Sequence, residues 1–247
     1  IIRGLVGSEM CIRDRLESLS NEVEKNELDG IRILVSAGPT REPIDPVRFI
    51  SNYSSGKMGY ALAESARNLG ADVELISGPV GIKMPENIKI TSVETSAEML
   101  DAVLGKIPYC DVFISAAAIS DYRPSHKLTE KHKSSDGELV IRLERGEDIL
   151  KLAKETKAGL YAVGFSAETN NMSDNAKIKL EKKNIDMIIS NEANHQKGLG
   201  FESDMNEVCI IEKDSMLKIP KNTKKIIADI ILSRIAKNIK GLSLIHI

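Results

Sequence analysis

Aromatic residues, cysteines and excess charge of either sign are scarce in this sequence. Aromatic residues make up 4% of the 247 residues and tryptophan is absent, so a base-stacking platform for nucleic acid is not expected. A formal net charge of −2 gives no general attraction to nucleic acid, and no apolar run reaches membrane-spanning length. The three cysteines are far apart and lack C-x-x-C spacing, which argues against a disulfide framework or a zinc site. We therefore expect a cytoplasmic globular protein without a nucleic-acid or membrane partner.

Strand and helix patterns alternate along most of the chain. Apolar strands are predicted at 31–37, 73–77, 88–93, 112–118, 160–164 and 185–190, and helices at 56–69, 97–104, 149–156 and 173–183. This rhythm predicts an α/β fold, a Rossmann-like, doubly wound and mostly parallel sheet with helices on both faces. Residues 207–219 predict a small β-hairpin addition, followed by a final helix at 223–238. Residues 139–143 alternate apolar and charged, as a half-exposed strand does.

A long loop separates the first strand from its helix. The helix is preceded by S-S-G-K-M-G, residues 54–59, and Ser54 or Ser55 is the predicted N-cap. Hydroxyls, bare backbone and one lysine at a helix N-terminus suit a bound phosphate. The same small residues also suit a plain strand-to-helix turn, so both interpretations remain open on these residues alone.

Longer motifs carry a family resemblance. The stretch S-A-G-P-T-R-E-P-I-D-P-V-R-F-I-S-N-Y-S-S-G-K-M-G, residues 36–59, resembles the opening signature of phosphopantothenate–cysteine ligase. Further matches follow in order: A-A-A-I-S-D-Y-R (116–123), E-K (130–131), D-I-L (148–150) and G-F-S-A-E-T-N (164–170). The resemblance spans about residues 31–239.

The resemblance implies a ligase of coenzyme A biosynthesis that joins cysteine to 4'-phosphopantothenate. CTP would activate the carboxylate as an acyl-cytidylate, with Mg²⁺ present, and CMP and pyrophosphate would be released. The expected partners are 4'-phosphopantothenate, cysteine and CTP, and the family forms homodimers. FMN is expected only if an upstream decarboxylase domain, fused to this ligase in many bacteria, is missing from the fragment; the oligomer would then be larger.

The resemblance also implies roles for particular side chains. Asn52 would hold the acyl group, Lys131 would lie over the reacting groups, and Arg48 would order the loop and the substrate. Asp121 is the candidate magnesium ligand. From the residues alone, Asn52 also fits a turn and Lys131 a solvated loop. The nucleotide-binding set implied by the resemblance is Ser54, Ser55, Gly56, Gly59, Ser115, Ala116, Ala117, Asp121, Lys131, Glu147, Asp148, Ile149, Leu150, Phe165, Lys179 and Lys183.

Some members of that set have ordinary structural explanations. Lys179 and Lys183 are four residues apart and share a helix face, which also fits a solvated basic face. Phe165 at a strand end also fits a core aromatic.

Two other functions share the predicted sheet. An NAD(P)-dependent oxidoreductase would need G-x-G-x-x-G entering a helix directly, but Pro39 and Pro43 prevent that turn. The second strand ends in Ser77-Gly78-Pro79, where such a site usually carries an acidic residue for the ribose. A non-catalytic nucleotide-binding module is the third interpretation.

The two ends of the chain differ from the rest. Residues 1–15 and 241–247 resemble translated adapter sequence and are predicted to be non-native tails. Residues 16–29 are predicted to be a helical linker, and residues 30–240 the ligase domain.

Overall fold

The computed structural model describes residues 26–133, 137–168, 172–192 and 203–245. Within these ranges the helices are α1 (Lys57–Asn68), α2 (Ser96–Lys106), α3 (Ile149–Thr156), α4 (Met172–Lys183) and α5 (Lys224–Ile245). The strands are β1 (Arg32–Ala37), β2 (Glu42–Pro43), β3 (Phe49–Ile50), β4 (Asp72–Ser77), β5 (Lys89–Ser92), β6 (Val112–Ser115), β7 (Tyr122–Pro124), β8 (Leu143–Arg145), β9 (Tyr161–Glu168), β10 (Met187–Glu192), β11 (Met205–Glu212) and β12 (Met216–Thr223).

One large sheet has the strand order β12-β11-β10-β9-β6-β1-β4-β5. The six strands from β10 to β5 are parallel, and the β11–β12 hairpin extends the sheet in antiparallel fashion. After the central strand β1, the chain adds β4 and β5 on one side of it. The chain then crosses to the other side of β1 and adds β6, β9, β10 and the hairpin. The predicted α/β, Rossmann-like, doubly wound fold with a hairpin addition is confirmed.

Alternate residues of the central strand enter two different hydrophobic cores. Ile33 and Val35 pack on the side of α1 and α5, whereas Leu34 packs on the side of α2, α3 and α4. Because both faces of the parallel strands are covered, their sequences are apolar runs rather than alternating patterns.

The last helix is attached to both the first helix and the hairpin. The Ser65 hydroxyl on α1 donates to Asp229 on α5 at 2.6 Å. Arg234 on α5 forms a salt bridge with Glu212 of the hairpin at 2.5 Å. The amide of Asn238 donates to the Tyr161 hydroxyl on β9 at 2.8 Å. These contacts fix α5 against elements from both halves of the sheet.

Most predicted elements are found with bounds shifted by one to three residues. Thr95 and Glu98 form a capping box at the N-terminus of α2, as their spacing of three residues favours. The hairpin is present, with its turn at residues 213–215. Strand β9 is longer than predicted and extends to Glu168.

Two strand predictions are wrong. Residues 139–142 form no strand; the strand lies at Leu143–Arg145, is exposed throughout, and pairs with the short β7. The strand predicted at 112–118 ends at Ser115, because residues 116–118 leave the sheet to meet the loop that follows β1. The isolated bridge between Pro39 and Ala118 marks that meeting point.

The described part of the predicted linker is packed against the domain. Leu28 is 1% exposed in the α1 core, and its N–H donates to the carbonyl of Leu69 at 2.9 Å. Residues 1–15 and 16–25 lie outside the described residues. The backbone of α5 continues as helix to Ile245, into the segment predicted to be a non-native tail. Within the described ranges, no helix combines the length and the apolar character required to cross a membrane.

Candidate active site

The candidate site is a cleft at the carboxyl ends of β1 and β6. The chain leaves these adjacent parallel strands in opposite directions, and such switch points are where doubly wound sheets bind ligands. The cleft has a volume of about 1150 Å³. Its lining includes Ser54, Ser55, Gly56, Lys57, Gly59, Ala116, Ala117, Asp121, Glu147, Asp148, Leu150, Phe165, Ser166, Lys179, Lys182, Lys183, Asn191, Asn206 and Lys224.

The cleft has an arm on each face of the sheet. The α1 arm is formed by residues 54–59, Asn206 and Lys224, and the α4 arm by residues 147–148, residues 150–152, Lys179 and Lys183. Most of the nucleotide-binding set implied by the resemblance therefore lies around one cavity. Ser115 and Ile149 are buried and Lys131 is exposed, and none of the three is part of the lining.

The N-terminus of α1 differs from its prediction. The N-cap is Gly56, in the left-handed region at φ 77°, and no side chain caps the helix. Ser54 acts one step earlier, where its hydroxyl accepts the N–H of Gly56 at 3.3 Å. Glycine is required at this position because a Cβ would lie 2.7 Å from Cγ1 of Val80. The prediction of a Ser54 or Ser55 cap was therefore wrong.

Gly59 allows the same helix to approach the sheet. A Cβ at Gly59 would lie 2.5 Å from the Cβ of Ala37 at the end of β1. The two glycines together let the first turn of α1 lie directly beside the end of the central strand.

Asn52 joins the loops that follow β1 and β6. Its side-chain amide donates to the carbonyl of Ala118 at 2.6 Å, and its side-chain oxygen accepts the N–H of Ser54 at 2.9 Å. Asn52 borders the cleft at this junction and is absent from its lining. The turn that the residues alone suggested is present, and the acyl-binding role stays a prediction.

Arg48 connects the first loop to the segment that carries Lys131. Its guanidinium donates to Asp45 through Nε at 2.8 Å and to the carbonyl of His132 at 2.8 Å. The hydrogen bond from Arg48 lowers the pKa of Asp45 to about 2, helped by the N–H groups of Val47 and Arg48. Arg48 thus orders the loop, as the resemblance implies, from a position outside the lining.

On the α4 face, two residues implied to bind nucleotide are bonded to each other. Asp148 is the N-cap of α3 and accepts the N–H of Lys151 at 3.2 Å. Its carboxylate also forms a salt bridge of 2.8 Å with Nζ of Lys183. Lys179 is exposed one turn earlier on α4. This arm presents several lysines and the carboxylates of Glu147 and Asp148 to the cavity.

Phe165 lies at the base of the cleft. It is half-buried against the α1 core, so both the lining role and the core role apply. Thr169 and Asn170 of the same motif lie outside the described residues.

Lys224 and Asn206 are two buried polar lining residues that the sequence did not single out. Lys224 is 7% exposed and Asn206 5% exposed. Burial lowers the pKa of the Lys224 amine to about 8; the nearby Lys57 lowers it further, and Asp204 opposes the shift. Nothing in the sequence distinguishes Lys224 from Lys225, because two lysines at a helix start ordinarily indicate a solvated end.

The described residues contain no group of three or more His, Cys, Asp or Glu side chains that could hold a metal ion. Asp121 is exposed on the cleft wall, and its carbonyl accepts the N–H of Gly146 at 2.9 Å. Mg²⁺ is commonly bound by one or two carboxylates together with substrate phosphates. A single carboxylate at this position fits a magnesium ion that arrives with a nucleotide.

Comparison with known proteins gives a consistent family. The model of the DNA/pantothenate metabolism flavoprotein C-terminal domain matches residues 28–239. The coenzyme A biosynthesis bifunctional protein CoaBC of Vibrio vulnificus (strain CMCP6) is 42% identical over 206 residues, covering 82% of this chain and 51% of that protein. A cysteine/cysteine sulfinic acid decarboxylase from an unknown prokaryotic organism is 41% identical over 228 residues, covering 90% of this chain and 63% of that protein.

A solved structure agrees with these relatives. The crystal structure of the C-terminal domain of CoaBC has a TM-score of 0.76 and 42% identity, and the match covers 88% of this chain and 100% of that one. The chain thus spans about half the length of the bifunctional relatives it matches.

Proposed function

The chain belongs to the DNA/pantothenate metabolism flavoprotein C-terminal domain family, and on that premise we propose that it joins cysteine to 4'-phosphopantothenate with CTP. One observation carries the proposal: four of the motifs that carry the family resemblance, at residues 36–59, 116–123, 148–150 and 164–170, contribute residues to one cleft at the switch point. The naming of the bifunctional relatives for coenzyme A biosynthesis supports the pathway.

The proposed reaction has two steps. The carboxylate of 4'-phosphopantothenate attacks the α-phosphorus of CTP, which forms the acyl-cytidylate and releases pyrophosphate. The cysteine amine then attacks the acyl carbon and displaces CMP. Both steps pass through states with concentrated negative charge, so preorganised donors and cations provide the catalysis.

The chain's own residues supply these groups. Lys179 and Lys183 face the cleft within reach of a triphosphate, and Phe165 offers an apolar surface to the base. The amide of Asn52 has a second N–H besides the one bonded to Ala118, and this N–H would stabilise the acyl oxygen. Mg²⁺, with Asp121 and the phosphates as ligands, would supply neutralisation of the triphosphate charge.

Lys131 lies outside the cleft lining, so in this proposal it reaches the reacting groups when its segment moves. Its segment is held at Ile44 by the Leu128 N–H and at His132 by Arg48, while its side chain is exposed. Closure of the segment over the bound substrates would bring the amine to the reacting groups.

A pyrophosphate-release assay tests the proposal. With CTP, Mg²⁺, cysteine and 4'-phosphopantothenate, the chain should release pyrophosphate and CMP; pantothenate, which lacks the phosphate, is the matched control substrate. Release with ATP alone would contradict the choice of CTP and leave the ligase intact. Hydride transfer from NAD(P)H without pyrophosphate would contradict the ligase.

We also propose a homodimer. Val47, Phe49, Val140 and Leu143, which lie on or next to the short strands β3 and β8, expose 44–85% of their surface, and these apolar side chains are the candidate contact. Sedimentation of the native chain and of a Val47→Ser, Phe49→Ser variant tests it; an unchanged mass in the variant would place the contact elsewhere.

A further inference from the structure

Two serine hydroxyls beside the cleft are buried without a hydrogen-bond partner. The Oγ atoms of Ser166 on β9 and Ser190 on β10 are both buried, and neither forms a hydrogen bond within the described part of the chain. Ser190 as a whole is 0% exposed. Buried hydroxyls are almost always paired in folded proteins, because burial removes their hydrogen bonds to water. Two exceptions at one place therefore call for a physical reason.

Ser166 and Ser190 are neighbours in the sheet. They are paired in the register of the parallel strands β9 and β10, so their side chains lie on the same face. Ile188, two residues before Ser190, packs into the core on the side of α2, α3 and α4, and the two hydroxyls therefore belong to the face that carries the α4 arm. Ser166 lines the cleft, and Ser190 lies one strand further from the switch point.

The surroundings of Ser166 on this face are apolar. Leu150, Ile185 and Ile188 line the cleft and belong to one hydrophobic core, and a Cβ at Gly164 would lie 2.7 Å from Cδ2 of Leu150. We call these four residues together with Ser166 the apolar recess. A recess of this kind, with hydroxyls at its wall, favours an uncharged ligand group with a polar edge, since a charge would lose its hydration there.

A change of side-chain rotamer is sufficient to connect the two hydroxyls. Neighbouring strands lie about 4.8 Å apart, and a serine Oγ has three staggered positions about its Cα–Cβ bond. A hydroxyl both donates and accepts. Ser190 can therefore donate to Ser166 while Ser166 donates to a group in the recess.

We propose that Ser166 binds the base of the nucleotide and that Ser190 positions the Ser166 hydroxyl for this contact. The inference rests on the proposed function, in which Lys179 and Lys183 reach the triphosphate from the α4 arm. Phe165, whose ring is assigned to the base in that proposal, directly precedes Ser166 on β9. The base is the uncharged part of the nucleotide, and its nitrogens, carbonyl and amine form a polar edge on an apolar ring. The hydroxyls thus gain their partners in the complex.

Binding measured with single ligands tests the inference without requiring turnover. Isothermal titration is carried out with Mg²⁺–CTP, Mg²⁺–tripolyphosphate and 4'-phosphopantothenate, one at a time, on the native chain and on Ser166→Ala and Ser190→Ala. The loss of a neutral hydrogen bond predicts about 2- to 10-fold weaker CTP binding in each variant, with native affinity for the two ligands that lack a base. Urea titration of the ligand-free variants should show no loss of stability.

The double variant tests the positioning role of Ser190. Because Ser190 acts through Ser166, the variant with both substitutions should bind CTP as weakly as Ser166→Ala and no more weakly. A further, additive loss would show that Ser190 contacts the ligand itself and would overturn its positioning role. Native CTP affinity in Ser190→Ala alone would overturn that role as well, and leave the contact of Ser166.

Ser65→Ala is the matched control. The Ser65 hydroxyl is also buried, lies outside the cleft lining, and donates to Asp229 at 2.6 Å. Its removal should lower stability in urea and leave the affinity for CTP unchanged. The opposite results for stability and affinity separate a hydroxyl that serves a ligand from one that stabilises the fold.

Each remaining outcome has a definite meaning. Native CTP affinity in both single variants would overturn the inference and leave the proposed function standing. Weaker binding of tripolyphosphate or 4'-phosphopantothenate would assign the hydroxyls to another group and also overturn it. Lower stability or failure to fold of Ser166→Ala or Ser190→Ala would contradict it, since the hydroxyl would then have a structural role. If the native chain binds no CTP, the proposed function fails, and the inference with it.

Discussion

Replacing Lys224 by methionine should stabilise the ligand-free protein at neutral pH. Burial of the Lys224 side chain lowers the pKa of its amine, the nearby Lys57 lowers it further, and Asp204 opposes the shift. Methionine keeps a flexible stem of similar length and removes the desolvation cost.

The size of the effect follows from the pKa of Lys224. A fall from 10.5 to about 8 corresponds to at most about 3 kcal/mol of folding free energy. Water in the open cleft screens part of the charge, so we expect Lys224→Met to raise the free energy of unfolding by about 1–2 kcal/mol.

The pH dependence has a definite sign. Between pH 8 and pH 10.5 the unfolded chain keeps the Lys224 proton and the folded chain has lost it, so the stability of the native sequence rises with pH over this range. The advantage of Lys224→Met should therefore be largest below pH 8 and shrink above it. Burial raises the pKa values of Cys110 and Tyr161, which acts in the opposite direction, but equally in both proteins.

Urea denaturation from pH 6.5 to pH 9.5, in phosphate-free buffer, measures the difference between the two proteins. Lys225→Met is the control and should show no pH-dependent difference from the native chain. A Lys224→Met protein that is less stable than the native chain by the same amount at every pH would refute the reasoning, since the amine would then be a stabilising group.

Three further predictions follow from the cleft and its supports. Gly59→Ala should lower the free energy of unfolding by about 1–3 kcal/mol, because the added Cβ would overlap Ala37 at the end of β1. Gly105→Ala on α2 is the matched control: the position has open space around it, so this variant should raise the free energy of unfolding by about 0.5–1 kcal/mol. Ser190→Ala should be neutral or stabilising by about 1 kcal/mol, since this hydroxyl is buried with no partner among the described residues; a clear loss in urea titrations would count against that. Asn52→Asp and Lys131→Gln should both lose turnover, and mass spectrometry of cysteine-free single-turnover mixtures should find acyl-cytidylate only with Lys131→Gln; near-normal turnover in either variant would remove that residue from the catalytic set.

The sequence predicts the sheet well because its strands are buried on both faces. Runs such as residues 112–114 are apolar throughout, and a capping box such as that of Thr95 and Glu98 depends on side chains only three residues apart. Patterns of this kind are local, so they can be identified before the fold is known. Residues 139–142 show where a local pattern fails. They alternate between apolar and charged residues as a strand would, but the short partner strand β7 pairs with Leu143–Arg145 instead.

Features that depend on distant contacts were missed. The helix cap is Gly56 rather than the predicted serine. A side chain at this position would meet Val80, which is 24 positions away in the sequence. Lys224 differs from Lys225 only because α5 docks with one of them turned towards the cleft. Most residues implied to bind nucleotide lie in the lining of the cleft, whereas Asn52, Arg48 and Lys131 lie outside it. A resemblance in sequence assigns roles to residues but does not say how the loops that carry them are arranged.

The attachment of α5 to α1 has a consequence for synthesis of the chain. Ser54 and Ser55 emerge from the ribosome long before Lys224, yet all three residues line the same cleft. The wall is therefore completed only when the final helix has emerged and Asp229 has reached Ser65. A nascent chain that stops before α5 would carry residues 54–59 and the lysines of α4, but would lack the part of the cleft wall that α5 provides.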